Sequence, residues 1–121
     1  MKFYPLTSKT RDVRAMESEY KASREIGVIR IGEENLYFKK GMKIFYCPYE
    51  EIRRCFRRVM LVPAKLCCGK GELKVENLVI CDESGEIAQI QLPGTKAAQI
   101  LVEELKKRMP DVIFAKPNQE S

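Results

Sequence analysis

Between Ile29 and Ile52 the chain is divided into short strand-favouring runs, Ile29-Arg-Ile31, Leu36-Tyr-Phe38 and Ile44-Phe-Tyr46. Gly32, Gly41 and Pro48 punctuate them, and the stretch closes on Tyr49-Glu-Glu-Ile52. Runs of this length, rich in Ile, Tyr and Phe and separated by turn residues, read as consecutive strands of a β meander. Val28–Ile31, Asn35–Lys39 and Lys43–Cys47 each have strand length. The breaks 33–35 and 39–42 are short enough for tight hairpins, so consecutive antiparallel pairing is the expected topology.

The meander continues past Pro48. The segment 52–62 is expected as a strand preceded by a turn, its second half apolar and ended by Pro63. Lys65-Leu-Cys-Cys-Gly-Lys-Gly71 reads as a glycine-hinged loop. Residues 72–81 then make a fifth strand, Asp82-Glu-Ser-Gly85 a turn, and Glu86–Leu92 the last strand. After Pro93-Gly94, Thr95 is the expected N-cap of a helix over about 95–109. Ala97, Ala98, Leu101, Val102, Leu105 and Met109 lie on one face of it, and Pro110 ends it. Before the meander, Val13, Met16 and Tyr20 at helical spacing predict an amphipathic helix over 8–24, with Ser8 or Thr10 as cap.

The expected organisation is therefore an α+β chain: an N-terminal helical segment over 1–25, one sheet-and-helix domain over 26–114, and a tail over 115–121. About six strands and one closing helix describe an antiparallel meander bent into a sandwich or partly open barrel that the helix caps. At 121 residues the chain suits a single core, burying roughly two-thirds of its unfolded surface.

The residues Asn35-Leu-Tyr-Phe-Lys-Lys-Gly41, the strand running into Cys47-Pro-Tyr-Glu-Glu-Ile52, and Ile90-Gln-Leu-Pro93 before the helix carry a likeness to a known family. Over residues 27–109 the order and local wording resemble bacterial pleckstrin-homology-like (PH-like) domains. The resemblance implies a non-enzymatic scaffold that binds peptides, protein partners or lipid headgroups, or assembles into oligomers. Lipid-binding members place basic residues in the loop between their first two strands. Here that loop reads as Gly32-Glu-Glu-Asn35, whose carboxylates repel phosphate, so a phosphoinositide is not expected there.

Chemistry-bearing residues are sparse. The chain has no histidine and five cysteines, Cys47, Cys55, Cys67, Cys68 and Cys81, at irregular spacing. An odd, unpatterned set argues against a disulfide framework and against a zinc knuckle. No metal or cofactor is expected. A nucleophilic cysteine lacks the commonest base, and the pairs Glu33-Glu34 and Glu50-Glu51 fall in turns, so the sequence supports no enzyme activity. No apolar run approaches the roughly 20 residues of a membrane span, and the start lacks a signal-peptide cleavage site. A soluble cytoplasmic protein is the expectation.

Two candidate sites stand out. Arg53, Arg54, Arg57 and Arg58 form the densest positive cluster. On a strand Arg53 and Arg57 would share one face and Arg54 and Arg58 the other. The second candidate is the 65–71 loop, where Lys65 and Lys70 would assist anion binding and Cys67-Cys68 would act as a redox-sensing thiol pair. The loop is not a P-loop, since G-x-x-x-x-G-K-[ST] is absent. The net charge of +5 arises from 22 basic residues interspersed with 17 acidic ones, a mixture that serves solubility more than nucleic-acid binding.

The leading expectation is a protein-binding or self-associating module. The alternative is anionic-ligand or peripheral membrane-surface binding through 53–58 and the 65–71 loop, and thiol redox sensing by Cys67-Cys68 is the third.

Overall fold

The computed structural model describes residues 2–7, 13–63 and 72–115. Its elements run β1 (Phe3–Pro5), α1 (Val13–Ala22), β2 (Arg24–Ile26), β3 (Ile29–Ile31), β4 (Asn35–Lys40), β5 (Lys43–Pro48), a single 3-10 turn (Tyr49–Glu51), β6 (Arg54–Pro63), β7 (Glu72–Asp82), β8 (Gly85–Leu92) and α2 (Thr95–Arg108). The strands form two sheets, β1-β5-β4-β3-β2 and β6-β7-β8. All pairings are antiparallel except β1 with β5. Over the described residues this is an α+β fold of two sheets and two helices, not a closed barrel.

Alternation along the strands sorts the side chains. In β4, Leu36 and Phe38 point to the side shared with β6-β7-β8, and Tyr37 points to the other. The first side holds the larger core: Ile29, Ile31, Leu36, Phe38 and Cys47 meet Cys55, Leu78, Ile80, Ile90 and Leu92, with Ala98, Leu101 and Leu105 of α2 closing it. The opposite face of the five-stranded sheet is covered by α1, whose Met16 and Tyr20 pack on Tyr37 and Tyr46 with Phe3 and Ile44 at the margin. Tyr20 and Tyr37 meet edge-on at 5.3 Å, a favoured geometry for two aromatic quadrupoles.

Glu19 fixes the angle of α1. Its carboxylate accepts from the Tyr37 hydroxyl at 2.5 Å, the Asn35 amide at 2.9 Å and the Glu34 backbone N–H at 2.7 Å. It thus satisfies donors on the buried strand β4 and its preceding turn, and burial together with this carboxylate raises the Tyr37 pKa.

Several expectations are corrected. The first helix ends at Ala22, short of Arg24, because the Ser23 hydroxyl and N–H both turn back on the Tyr20 carbonyl. Gly27, at φ 62°, then lets Arg24–Ile26 reverse onto Ile29–Ile31. The proposed caps Ser8 and Thr10 lie outside the described residues.

Because β2 precedes β3, the acidic loop 32–34 joins the second and third strands of the meander rather than the first two, and Gly27-Val28 is the first turn. Thr95 is not the cap of α2. Gly94 holds that position, and the Thr95 hydroxyl instead lies 3.4 Å from the Glu76 carboxylate. Within the 1–25 segment, β1 is a strand of the five-stranded sheet and α1 packs on its face. Ala115, at the start of the expected tail, accepts from the Arg54 guanidinium at 2.7 Å.

Candidate functional site

β6 and β7 pair over ten positions, from Arg54 opposite Cys81 to Pro63 opposite Glu72. β8 reaches only as far as the pair Glu76–Leu92. The part of β6 and β7 beyond it, Met60–Pro63 with Glu72–Val75, is a two-stranded ribbon extending past the sheet, with Val59 at its base opposite Glu76. Apolar residues occupy both its faces, since Met60 lies opposite Val75 and Val62 opposite Leu73, while Val59 and Leu61 alternate with them. Val59, Met60, Leu61 and Leu73 are 43%, 42%, 59% and 49% exposed. An unsupported two-stranded ribbon is marginal in water, and one with four large apolar side chains exposed carries the signature of a contact surface.

The ribbon is tied down at its base. Glu76, almost fully buried, receives Arg57 in a two-pronged pair, Nε to Oε1 at 2.9 Å and an Nη to Oε2 at 3.0 Å. The planar fork of arginine suits this carboxylate geometry. Among the described residues one edge of the ribbon has no strand partner: β6 is the outer strand of its sheet, and residues 109–115 after α2 meet it at its start. There the Cys55 N–H donates to the Ile113 carbonyl and the Ile113 N–H to the Arg53 carbonyl. Among the described residues, β6 beyond Phe56 pairs with β7 alone.

The predicted arginine cluster is divided, and each guanidinium has an acceptor within the chain. Arg53 precedes β6 and donates to the Glu50 carbonyl and to Glu83. Arg54 binds the Ala115 carbonyl. Arg57 is held by Glu76, and Arg58 lies against Glu86 and Gln89 with its guanidinium over the Phe56 ring. Arg53, Arg54 and Arg58 do meet at one cleft of about 550 Å³, but Asp82, Glu83 and Glu86 line the same cleft. Its charge is balanced. Lys65, Lys70, Cys67 and Cys68 lie outside the described residues.

Of the other cysteines, Cys47 and Cys55 are buried. Burial pushes the Cys47 thiol up to about 12 and raises that of Cys55 as well. The Cys81 thiol is also raised, first by burial and then by Glu86. Thiols held protonated in this way are inert as nucleophiles. Among the described residues no three His, Cys, Asp or Glu side chains gather to hold a metal, and no helix is long and apolar enough to cross a membrane.

The exposed ribbon was not singled out from the sequence. Its signal was there: Val59-Met-Leu-Val62 is apolar at every position, which a strand with one solvated face would not be. Comparison with protein-family models, with curated proteins and with solved structures finds no match to this chain.

Proposed function

We propose that the chain is a non-enzymatic assembly module of PH-like architecture that self-associates through the β6–β7 ribbon. The order of elements supports the architectural half of this reading: a meander β2–β5, a second meander β6–β8 and one closing helix, the succession the resemblance implies. The observation that carries the functional half is the ribbon itself, with exposed apolar side chains on both faces and, among the described residues, no strand partner along the outer edge of β6.

A second copy is the natural occupant because the β6 edge is self-complementary. Antiparallel pairing of two β6 strands about Met60 sets Val59 opposite Leu61 and Arg58 opposite Val62, so no like charges face one another. Strand addition of this kind draws its affinity from main-chain hydrogen bonds and its register from alternate side chains. Edge pairing about a two-fold axis also closes the assembly at two copies rather than extending it.

Light scattering on a size-exclusion column, at low and high salt with reductant present, tests the proposal. The expected result is a dimer that persists at high salt and falls to monomer when Leu61→Lys and Val59→Lys are introduced together. These positions are exposed, so the monomer should keep its fold by circular dichroism. A wild-type monomer at every concentration and salt would sink the reading.

A further inference from the structure

A cleft of about 490 Å³ opens between the two sheets, where β8 passes the β2–β3 turn and the end of β4. That volume falls within the range of small-molecule sites. Its wall is apolar: Phe38 comes from β4, and Ile90 and Leu92 from β8, at 5%, 4% and 4% exposure. All three belong to the larger core, so the cleft opens directly onto that core. The half-exposed Val28 stands at its mouth. At one end Gly27 lies so close to the Pro93 ring that an added Cβ would come within 2.8 Å of it, and the β2–β3 turn is thereby held against the end of β8.

The charge around this cleft has one sign. Lys39 and Lys40 line it, and no carboxylate or guanidinium does, whereas the cleft beside Arg53, Arg54 and Arg58 carries both signs. Alternation along β4 puts Lys40 on the same side as Phe38 and turns Lys39 to the other. Lys40 forms no ion pair among the described residues. Its cross-strand partner is Lys43, so the fold sets a like charge opposite it, an unfavourable pairing. A local rule broken without compensation within the fold is a mark of a functional position.

We propose that the inter-sheet cleft binds a small apolar monocarboxylate, its hydrocarbon body against Phe38, Ile90 and Leu92 and its carboxylate at the Lys40 ammonium. Burial of the hydrocarbon supplies the affinity, and a single charge at the mouth fixes the orientation. One ammonium on the cleft side balances one negative charge. A phosphate ester would call for the guanidinium forks that suit its oxygens, and none lines this cleft. The cleft runs along β8, the edge of the three-stranded sheet opposite β6. Pairing of two β6 strands leaves it open, so the inference goes beyond the assembly reading and does not depend on it.

Titration of the whole isotope-labelled chain with naphthoate, followed by amide chemical shifts, tests the proposal. The amides of residues 27–28, 38–40 and 89–92 should shift saturably, with a Kd on the order of 0.1 mM. Naphthalenemethanol, the same ring system without the charge, should bind about tenfold more weakly. Lys40→Gln should lower the affinity for naphthoate by about the same factor and leave that for the alcohol unchanged. Val28→Trp, at the mouth, should weaken both. Lys107→Gln on α2 removes the same charge elsewhere and should change neither. These side chains are exposed, and circular dichroism checks that the variants fold. Any of four results would overturn the inference: no saturable shift at millimolar naphthoate, shifts spread alike over the ribbon and both helices, equal affinity for the acid and the alcohol, or equal loss in Lys40→Gln and Lys107→Gln.

Discussion

Cys47 shows how a single buried atom writes a pH dependence into this fold. Its thiol has no exposure and points toward the Pro48 carbonyl at 3.6 Å. Burial is the largest cause of its raised pKa, with Glu51 and Asp82 adding to it, and together they push it up to about 12. The unfolded chain releases the same proton near pH 8.5. Below that pH both states hold the proton and the contribution to stability is complete. Between it and about 12 the unfolded state binds fewer protons, so stability falls as pH rises, by about 1.4 kcal/mol per pH unit from this thiol. Cys55, raised for the same reason, acts in the same direction. Denaturant titrations in reductant at pH 8, 9 and 10 should show this decline, and Cys47→Ala should flatten its slope even though the variant begins less stable. An unchanged slope would mean that the thiol proton is not held by the fold.

At the level of elements, legibility followed pattern. β3, β4, β5 and β8 were readable because their apolar residues are spaced for a pleated sheet with turn residues between them, and α2 because its apolar stripe ends at Pro110. β1 and β2 were not. Each has only three residues, β1 ending in Pro5 and β2 opening with Arg24-Glu25, and their strand character comes from partners already in place. β1 in particular lies parallel to a strand some forty positions away, which no local pattern announces. The arginines were legible as a cluster but not as paired groups, because Glu76 and Glu86 reach them only through strand register.

That register supports a prediction at the base of the ribbon. Arg57→Ala leaves the Glu76 carboxylate buried with, among the described residues, the Thr95 hydroxyl 3.4 Å away as its remaining side-chain donor. Breaking a buried pair in this way should cost about 3 kcal/mol, the low end of the range because Arg57 is partly exposed. Replacing both residues with apolar ones of similar volume, Arg57→Met with Glu76→Leu, should recover most of that loss. Urea denaturation of the three proteins measures both steps. If the double variant is as unstable as the single one, the pair contributes more than mutual neutralisation.

For the whole molecule the central question is whether α1 and β1 belong to the same folding unit as the two sheets. The two apolar clusters lie on opposite faces of one five-stranded sheet, and neighbouring residues of the same strands serve both: Leu36 and Phe38 face one, Tyr37 faces the other, and Cys47 and Tyr46 divide likewise. The sheet cannot lose one packed face without exposing strands that the other needs, so unfolding should be cooperative. The chain has no tryptophan and five tyrosines; Tyr20, Tyr37 and Tyr46 sit in the α1 cluster. Tyrosine fluorescence therefore reports mainly on the face covered by α1, while far-ultraviolet circular dichroism reports on the backbone of both helices and both sheets. In one urea titration the two transitions should coincide, the mark of two-state behaviour. Met16→Ala should move both midpoints together, with a loss of about 2–5 kcal/mol typical for truncating a buried methionine. Should the fluorescence transition come first and alone respond to Met16→Ala, α1 would be a separately melting layer. The face of Tyr37 and Tyr46 would then open before the core does, and become a surface that partners can reach.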